Sequence, residues 1–563
     1  MSKVDRLFYL LIVFISALFV ADLFISGYLP ATMDGLIHVE TIAQFSDALA
    51  QGDFPVIWLN NFANYGLPVG IFSHQLPIYL GAIINLMSNS PVFSTNVVTF
   101  IGIVLANVLF YKFLRIYFPE LTSFLATVLF ILAPYRILNV YIRGAVPESF
   151  ALLFLPYILI CLHRVFSQRK QNSIFLLILG LIGLMLTHPM MVIIYSFIII
   201  PYFIFLLVQN EKDQKNKQRT LSYARASFVF LFSIIFALGV ASYYLIPLLI
   251  EKKYFYFGHN NTIFNNSFFE LINFIDTAWY YSFSSDIFTR GHRLQVGIVE
   301  SLIMFLSVII VVRELTIKKI KNDFLLFTIC VVAGVFIVFL LLPISSIFYT
   351  IFPILQNIQF PWRMLSVFII IPPILFAFLM HRYKYQWLFF LILLLVIINR
   401  VPELYGKNYI DYPISFYHSA KENLHSVNMN TIWSGKTEEY PTRVHQADIV
   451  EGKGNLTYKS LSNSDRLYQF KAKSDLKVVD YTFYFPGWTV LVDDKSVPIQ
   501  FQDPALRGVI TYVVPKGEHR VSVLFDDTVV RRVARYISIA SIILLLLFFL
   551  LRKTVLSKVY KYV

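Results

Sequence analysis

The chain has 563 residues, of which 57% are hydrophobic, 17% aromatic and 14% charged. Soluble chains carry roughly 25% charged residues, so this composition excludes an ordinary soluble protein. The net charge of +14 would suit a nucleic-acid partner, but the basic residues fall in alternate loops, as they do in the cytoplasmic turns of a membrane protein, and nucleic acid is set aside.

A bilayer crossing takes about 20 predominantly apolar residues. On that criterion the chain reads as a polytopic α-helical membrane protein of about twelve transmembrane helices. They lie near 7–27, 92–111, 119–134, 147–163, 172–187, 190–208, 227–249, 296–312, 324–342, 363–380, 386–400 and 534–551. The basic loops are Lys112/Arg115, Arg164/Arg169/Lys170, Lys212–Arg225, Arg313/Lys318/Lys319/Lys321, Arg382/Lys384 and Arg552/Lys553/Lys558/Lys561. Their alternation places the chain in the cell membrane with both termini cytoplasmic. Lys3 and Arg6 precede the first span and no small-residue cleavage site follows it, so it reads as a retained helix. Cys161 and Cys330 lie within spans and imply no disulfide framework.

Between Arg6 and Lys112 there is no Lys or Arg. That gap marks the segment 28–91 as external. It opens with Asp34-Gly-Leu-Ile-His38-Val-Glu40 and a helical stretch to Ala50, then runs through an aromatic, Pro- and Gly-punctuated loop. On a helix Asp34 and His38 share a face, whereas Glu40 lies about 200° round from His38. A carboxylate there is placed to act as general base with the imidazole as helper or substrate contact. The plainer alternative is that Asp34 caps the helix. Asp22, near the outer end of the first span, either lines a polar cavity or sits at the interface.

The next external loop breaks the charge rule. Ala133-Pro-Tyr-Arg136 through Arg143-Gly-Ala-Val-Pro147-Glu148 puts two arginines on the side otherwise kept free of them. Guanidinium forks match phosphate oxygens, and an aromatic-flanked pair at the membrane surface suits a lipid-linked phosphate; snorkelling to headgroups is the alternative. Glu148 is a salt-bridge partner for either arginine. His188, in Thr187-His-Pro189, occupies a very short turn, where a structural role competes with substrate contact. Glu251-Lys252-Lys253 closes the seventh span. Arg363, in Gln359-Phe-Pro-Trp-Arg363, sits at the outer rim of the tenth, where Pro361 starts a helix. Asn260, Asn265 and Asn455 head acceptor sequons. The sequence holds no phosphate-cradling Gly loop, Cys/His cluster or Ser-nucleophile elbow.

From Asn455 the pattern alternates with period two in short runs separated by Pro486-Gly487, Asp493-Asp494-Lys495 and Pro515-Lys-Gly517. Such runs predict an antiparallel β-sandwich. The expected organisation is a membrane domain over 1–400, an extracytoplasmic β-domain over 401–533, and a last span with a basic tail over 534–563.

Several motifs carry a resemblance. They are Asp34 to His38, Gly52-Asp-Phe-Pro-Val-Ile-Trp58, Tyr65-Gly-Leu-Pro68, Leu76-Pro-Ile-Tyr79-Leu-Gly81, Ala133 to Glu148, Thr187 to Pro189, Pro247 to Lys253 and Gln359 to Arg363. The chain resembles polytopic prokaryotic membrane proteins known as pyruvoyl-tetrahydropterin-synthase-related, which look like GT-C class glycosyltransferases. Tyr484-Phe-Pro-Gly-Trp488 with Val492-Asp-Asp-Lys495 is similar to the terminal β-domain of related lipoteichoic-acid-modifying proteins. The resemblance implies a transferase taking sugar from a polyprenyl-phosphate donor to a cell-envelope glycan, lipid or protein acceptor, with Asp34 as the external carboxylate base. It leads one to expect a basic residue soon after His38, where this chain has Glu40-Thr41. Donor contact is therefore expected from Arg136 and Arg143, with His38, Glu40, Glu148, His188 and Arg363 as further substrate-binding candidates. A divalent metal is admitted but not demanded. The competing classes are a flippase for a lipid-linked saccharide and a non-catalytic, membrane-anchored glycan-binding module. A transporter would be expected to show inverted repeats and paired broken helices, which the sequence does not display.

Overall fold

The computed structural model describes residues 2–167, 172–215, 223–255, 268–275, 294–316, 324–383, 386–406, 408–419, 430–435 and 439–562. Arg169, Lys170, Lys318, Lys319, Lys321, Lys384 and the sequons at Asn260 and Asn265 lie outside the described residues, as does most of the segment 250–295. The chain is mostly helical, with β-strands concentrated toward its C-terminus.

Among the described residues six helices are long and apolar enough to cross a membrane: Pro91–Leu114, Val146–Phe166, Pro189–Gln209, Tyr223–Tyr254, Pro361–Arg382 and Val529–Leu550. Two bent pairs raise the number to eight. Glu120–Ile131 and Pro134–Tyr141 meet at 44°, and Leu325–Leu341 and Pro343–Ile351 at 89°. Helices that fall short of that criterion occupy the other expected positions, among them Lys3–Phe19, Asn172–Thr187, Ile298–Thr316 and Gln386–Arg400, so twelve spans are not shown. Val529–Leu550 is only 17% buried and shows Ile539, Ile543, Leu544 and Leu546 to its surroundings. Such a face is stable against lipid, not water.

The chain divides into two compact units, one of residues 1–36, 96–238 and 261–410, the other of residues 37–95, 239–260 and 411–563. This grouping cuts differently from the sequence boundaries at 400 and 533: the segment 37–95 groups with the strands. In the first unit Glu120–Ile131 packs against Lys3–Phe19, Ile371–Arg382 and Gln386–Arg400. Its break at Leu132–Ala133 frees backbone carbonyls that need donors. Arg136 supplies Phe130 O at 3.2 Å, and Arg400 supplies Leu132 O at 2.9 Å while gripping Glu300 through two bonds of 2.6 and 2.7 Å. Asp22 accepts from the Gly406 N–H and the Tyr409 hydroxyl, each at about 2.9 Å. It braces the short ladder of β1 (Leu29–Pro30) and β2 (Tyr409–Ile410), so of the two expectations for Asp22 the observed role is structural.

In the second unit the strands are β3 (Ala447–Glu451), β4 (Gly454–Leu461), β5 (Asp465–Ala472), β6 (Leu476–Phe483), β7 (Trp488–Val492), β8 (Lys495–Val497), β9 (Val509–Val514) and β10 (Gly517–Phe525). They form two antiparallel sheets, of order β4-β5-β10-β7-β8 and β3-β6-β9. Period-two alternation turns Tyr468, Phe470, Val490, Val521 and Val523 of one sheet and Val478, Phe483, Ile510 and Tyr512 of the other into a single buried cluster. Trp58, Phe62, Tyr65 and Leu67, from the long loop after Ala50, belong to the same cluster. Inside it Arg466 on β5 bonds Asp480 on β6 at 2.5 Å, and both side chains are fully buried. Asp480 also accepts from the Tyr468 hydroxyl at 2.7 Å.

Candidate active site

Asp34 ends a short extended segment immediately before the helix Gly35–Ala50. That segment is fastened to the loop after Tyr141. Met33 N–H donates to Ile142 O at 3.1 Å and Asp34 N–H to Arg143 O at 2.7 Å. Gly144 makes the approach possible. Its φ is +64°, and a Cβ there would collide with Thr32 Oγ1 and lie 2.7 Å from Gly35 N.

This clamp sets the Asp34 carboxylate 3.8 Å from the Arg143 guanidinium. The Asp34 side chain is 44% exposed and that of Arg143 5%. The carboxylate is therefore partly open while the cation beside it is buried and fixed. Arg143 is held by three partners. It donates to Asn139 Oδ1 at 2.6 Å, to Glu148 at 2.9 Å and to the Tyr135 hydroxyl at 3.3 Å. Its guanidinium stacks over the Trp362 ring, 4.6 Å from the centroid. Glu148, with a side chain 2% exposed, also accepts from the Tyr135 hydroxyl at 2.5 Å and Asn139 Nδ2 at 3.3 Å. Burial alone would lower the Arg143 pKa. The charges of Glu148 and Asp34 outweigh it and leave the guanidinium raised, hence permanently charged.

Arg363 joins the group from the other end of the sequence. It bonds Gln359 Oε1 at 2.7 Å, lies against Met190 Sδ at 2.8 Å, and stacks near Phe360 and Trp362 at 5.2 and 5.7 Å. Trp362 thus carries both guanidiniums, and the Arg363 Nε, although buried, has no hydrogen-bond partner. Arg136 is separate. It bonds Asn107 Oδ1 at 2.5 Å and stacks on Phe130, 4.4 Å from the centroid. No carboxylate among the described residues lies within ion-pairing distance of it.

The remaining candidates fall elsewhere. His188 is 5% exposed; its carbonyl accepts from Met191 N–H at 2.9 Å at the junction of two helices. His38 and Glu40 belong to the second unit. His38 sits edge-on to His74, with ring centroids 6.3 Å apart. Glu40 is fully buried, and burial pushes its pKa up to about 8. Glu251 bonds Arg531 and Thr528 at 2.9 and 2.8 Å, which makes it a structural anchor for the last helix. Sequence reasoning did not single out Tyr135, Asn139 and Trp362. The only available signal was their position inside the motifs that carry Arg143 and Arg363.

Chemically, the cluster offers one accessible carboxylate beside a fixed, cationic, aromatic-backed wall. Such an arrangement can accept a proton on one side and hold an anion on the other.

A curated relative from Lactococcus lactis subsp. cremoris (strain MG1363), described as an uncharacterized protein, is 22% identical over 303 residues, covering 51% of this chain and 48% of the relative. The chain therefore spans about half the length of that relative. A family model matches residues 8–352, which contain Asp34, Arg136, Arg143, Glu148 and His188. The match covers more than half of the chain, and the protein belongs to DUF6541, a family of unknown function.

Proposed function

We propose that the protein is a membrane glycosyltransferase that moves a sugar from a polyprenyl-phosphate donor to an extracytoplasmic acceptor. The observation that carries this reading is the half-exposed Asp34 carboxylate set 3.8 Å from the buried Arg143. Asp34 takes the proton of the acceptor hydroxyl. The acceptor oxygen then bonds the anomeric carbon as the bond from that carbon to the lipid phosphate breaks, and the electron pair leaves with the phosphate. Arg143 and Arg363, backed by Trp362, hold the phosphate charge. The leaving group is already anionic, so the protein contributes orientation and electrostatics above all.

Electrostatics favours an anionic ligand once the reaction is under way. Arg143 and Arg363 lie near one buried acid, Glu148, and one solvated acid, Asp34; as Asp34 takes the acceptor proton it gives up its claim on the two cations, which are then free to stabilise the charge that develops on the leaving phosphate. The motif resemblance to GT-C enzymes points the same way. In this reading about twelve spans cross the cell membrane, both termini are cytoplasmic, and the two sheets form an extracytoplasmic sandwich that positions the acceptor.

The test is transfer from a radiolabelled polyprenyl-phosphate sugar by the purified protein in lipid nanodiscs. Asp34→Asn is expected to slow transfer by about 10²–10⁴-fold while donor binding persists. Transfer at the wild-type rate would remove Asp34 from the base role.

A further inference from the structure

We propose that the cavity beside Arg136 is a binding site for a small inorganic monoanion of the halide class. The site stands independently of the glycosyltransferase reading.

Arg136 lies on Pro134–Tyr141, the second half of a span bent by 44°. It is 4% exposed. Its Nη1 is shared between two neutral acceptors, Asn107 Oδ1 and Phe130 O. These satisfy hydrogen bonds but leave the positive charge uncompensated, and no carboxylate among the described residues reaches it. A cation at this depth needs a counter-charge.

The second observation is independent. The Tyr195 hydroxyl, on the helix Pro189–Lys215, is fully buried and has no hydrogen-bond partner. It lines the same cavity as Arg136, Asn139, Ser149 and Ser366. A buried hydroxyl without a partner is rare and calls for an occupant. Water would satisfy Tyr195 yet leave Arg136 uncompensated. An anion satisfies both, because guanidinium and phenol each donate.

The remaining walls fix the class. Phe19, Ile103, Leu152 and Ile369 are apolar, and Asn139 and Ser366 already donate to Glu148 and to Arg363 O, which leaves few donors for the several oxygens of a phosphate or sulfate. Glu148 also lines the cavity. Its oxygens are taken by Tyr135, Asn139 and Arg143, but its charge penalises a dianion more than a monoanion. A spherical monoanion needs few donors and tolerates apolar contact.

The experiment is a thermal-melting titration of the purified full chain with sodium chloride or bromide, against sodium gluconate at constant ionic strength. The wild type is expected to show a saturable rise in melting temperature with either halide. Tyr195→Phe, which removes one donor and keeps the ring, should need about tenfold more halide for the same rise. Arg136→Gln should abolish the response. Diffraction from crystals grown in bromide should place an anomalous peak between Arg136 and Tyr195. Identical melting in halide and gluconate, or a halide response unchanged in Tyr195→Phe, overturns the site. A response to inorganic phosphate but not to halide overturns its class.

Discussion

Two carboxylates address one guanidinium, and their surroundings predict opposite phenotypes. Glu148 has a side chain 2% exposed, bonds Arg143 at 2.9 Å and also receives Tyr135 and Asn139. Deleting it leaves a buried cation and two buried donors without their acceptor. Breaking one side of a buried pair costs about 3–5 kcal/mol. At about 2.1 cal/mol/K of unfolding entropy per residue, a unit of about 330 residues shifts by roughly 1.5 °C per kcal/mol, so Glu148→Ala should lower the melting temperature by about 4–8 °C. Asp34 is 44% exposed and 3.8 Å from the same guanidinium. A pair of that kind contributes about 0–1 kcal/mol, so Asp34→Asn should melt within about 2 °C of wild type. Transfer activity should rank the other way at a temperature where both variants are folded, with Asp34→Asn the more damaged per folded molecule. The assay is nanodisc melting paired with transfer from a labelled lipid-linked sugar. If Asp34→Asn destabilises as much as Glu148→Ala, Asp34 is a structural partner of Arg143 and not a free base.

Three further outcomes follow from other contacts. Gly144→Ala puts a methyl group against Thr32 and the Gly35 backbone at a φ of +64°; it should cost about 1–3 kcal/mol and reduce transfer by displacing Asp34, both read on the same protein. Glu40 has a folded-state pKa raised to about 8 by burial, against about 4.3 unfolded. The folded state therefore holds a proton that the unfolded state releases, and stability present below about pH 4 is lost as pH rises to about 8, by at most about 1.4 kcal/mol per pH unit. Glu40→Gln should flatten that part of the stability profile. Arg466→Met should cost about 3–5 kcal/mol by leaving Asp480 buried without its counter-charge, whereas the double change with Asp480→Leu should recover only part of it, because Tyr468, Gln446 and Thr482 then lose their acceptor; denaturant unfolding checks both.

The elements that local chemistry controls were legible in the sequence. Period-two alternation located β4, β5, β6, β7, β9 and β10, because each needs only its own residues to decide which face is buried; β8, three residues starting at Lys495, falls on what the sequence marks as a turn. Hydropathy located the helices, but not how many of them are long enough to cross. The helices Lys3–Phe19 and Gln386–Arg400 run for only 17 and 15 residues, polar ends included, and the broken pairs turn at Leu132–Ala133 and Leu342, where a hydropathy window sees no interruption. Asp34 was legible as an acid in a segment without positive charge. Its proximity to Arg143 was not, since it depends on a backbone clamp between segments more than a hundred residues apart.

Arg136 and Arg143 show most clearly where pattern stops and geometry begins. Seven residues apart, they would share one face of a continuous helix, and the sequence treats them as twins that meet one phosphate. The helix instead ends at Tyr141. The chain then turns through Gly144 in the left-handed region, which carries Arg143 to Asn139 and Glu148. Arg136 stays on the helix, facing Asn107 and Phe130. The two cations therefore have different neighbours and demand different anions. Arg143 already has a buried acid and an exposed one, so it suits a ligand that comes and goes at the Asp34 side. Arg136 bonds only neutral acceptors and shares its cavity with an orphaned phenol, while the Glu148 that also lines it is bonded to Arg143, so Arg136 suits an ion that stays. A phosphate-mimicking inhibitor should accordingly compete with donor at Arg143 and leave the halide response of Arg136 unchanged. Competition at both sites would mean that the cavity and the Asp34 cluster form one continuous pocket.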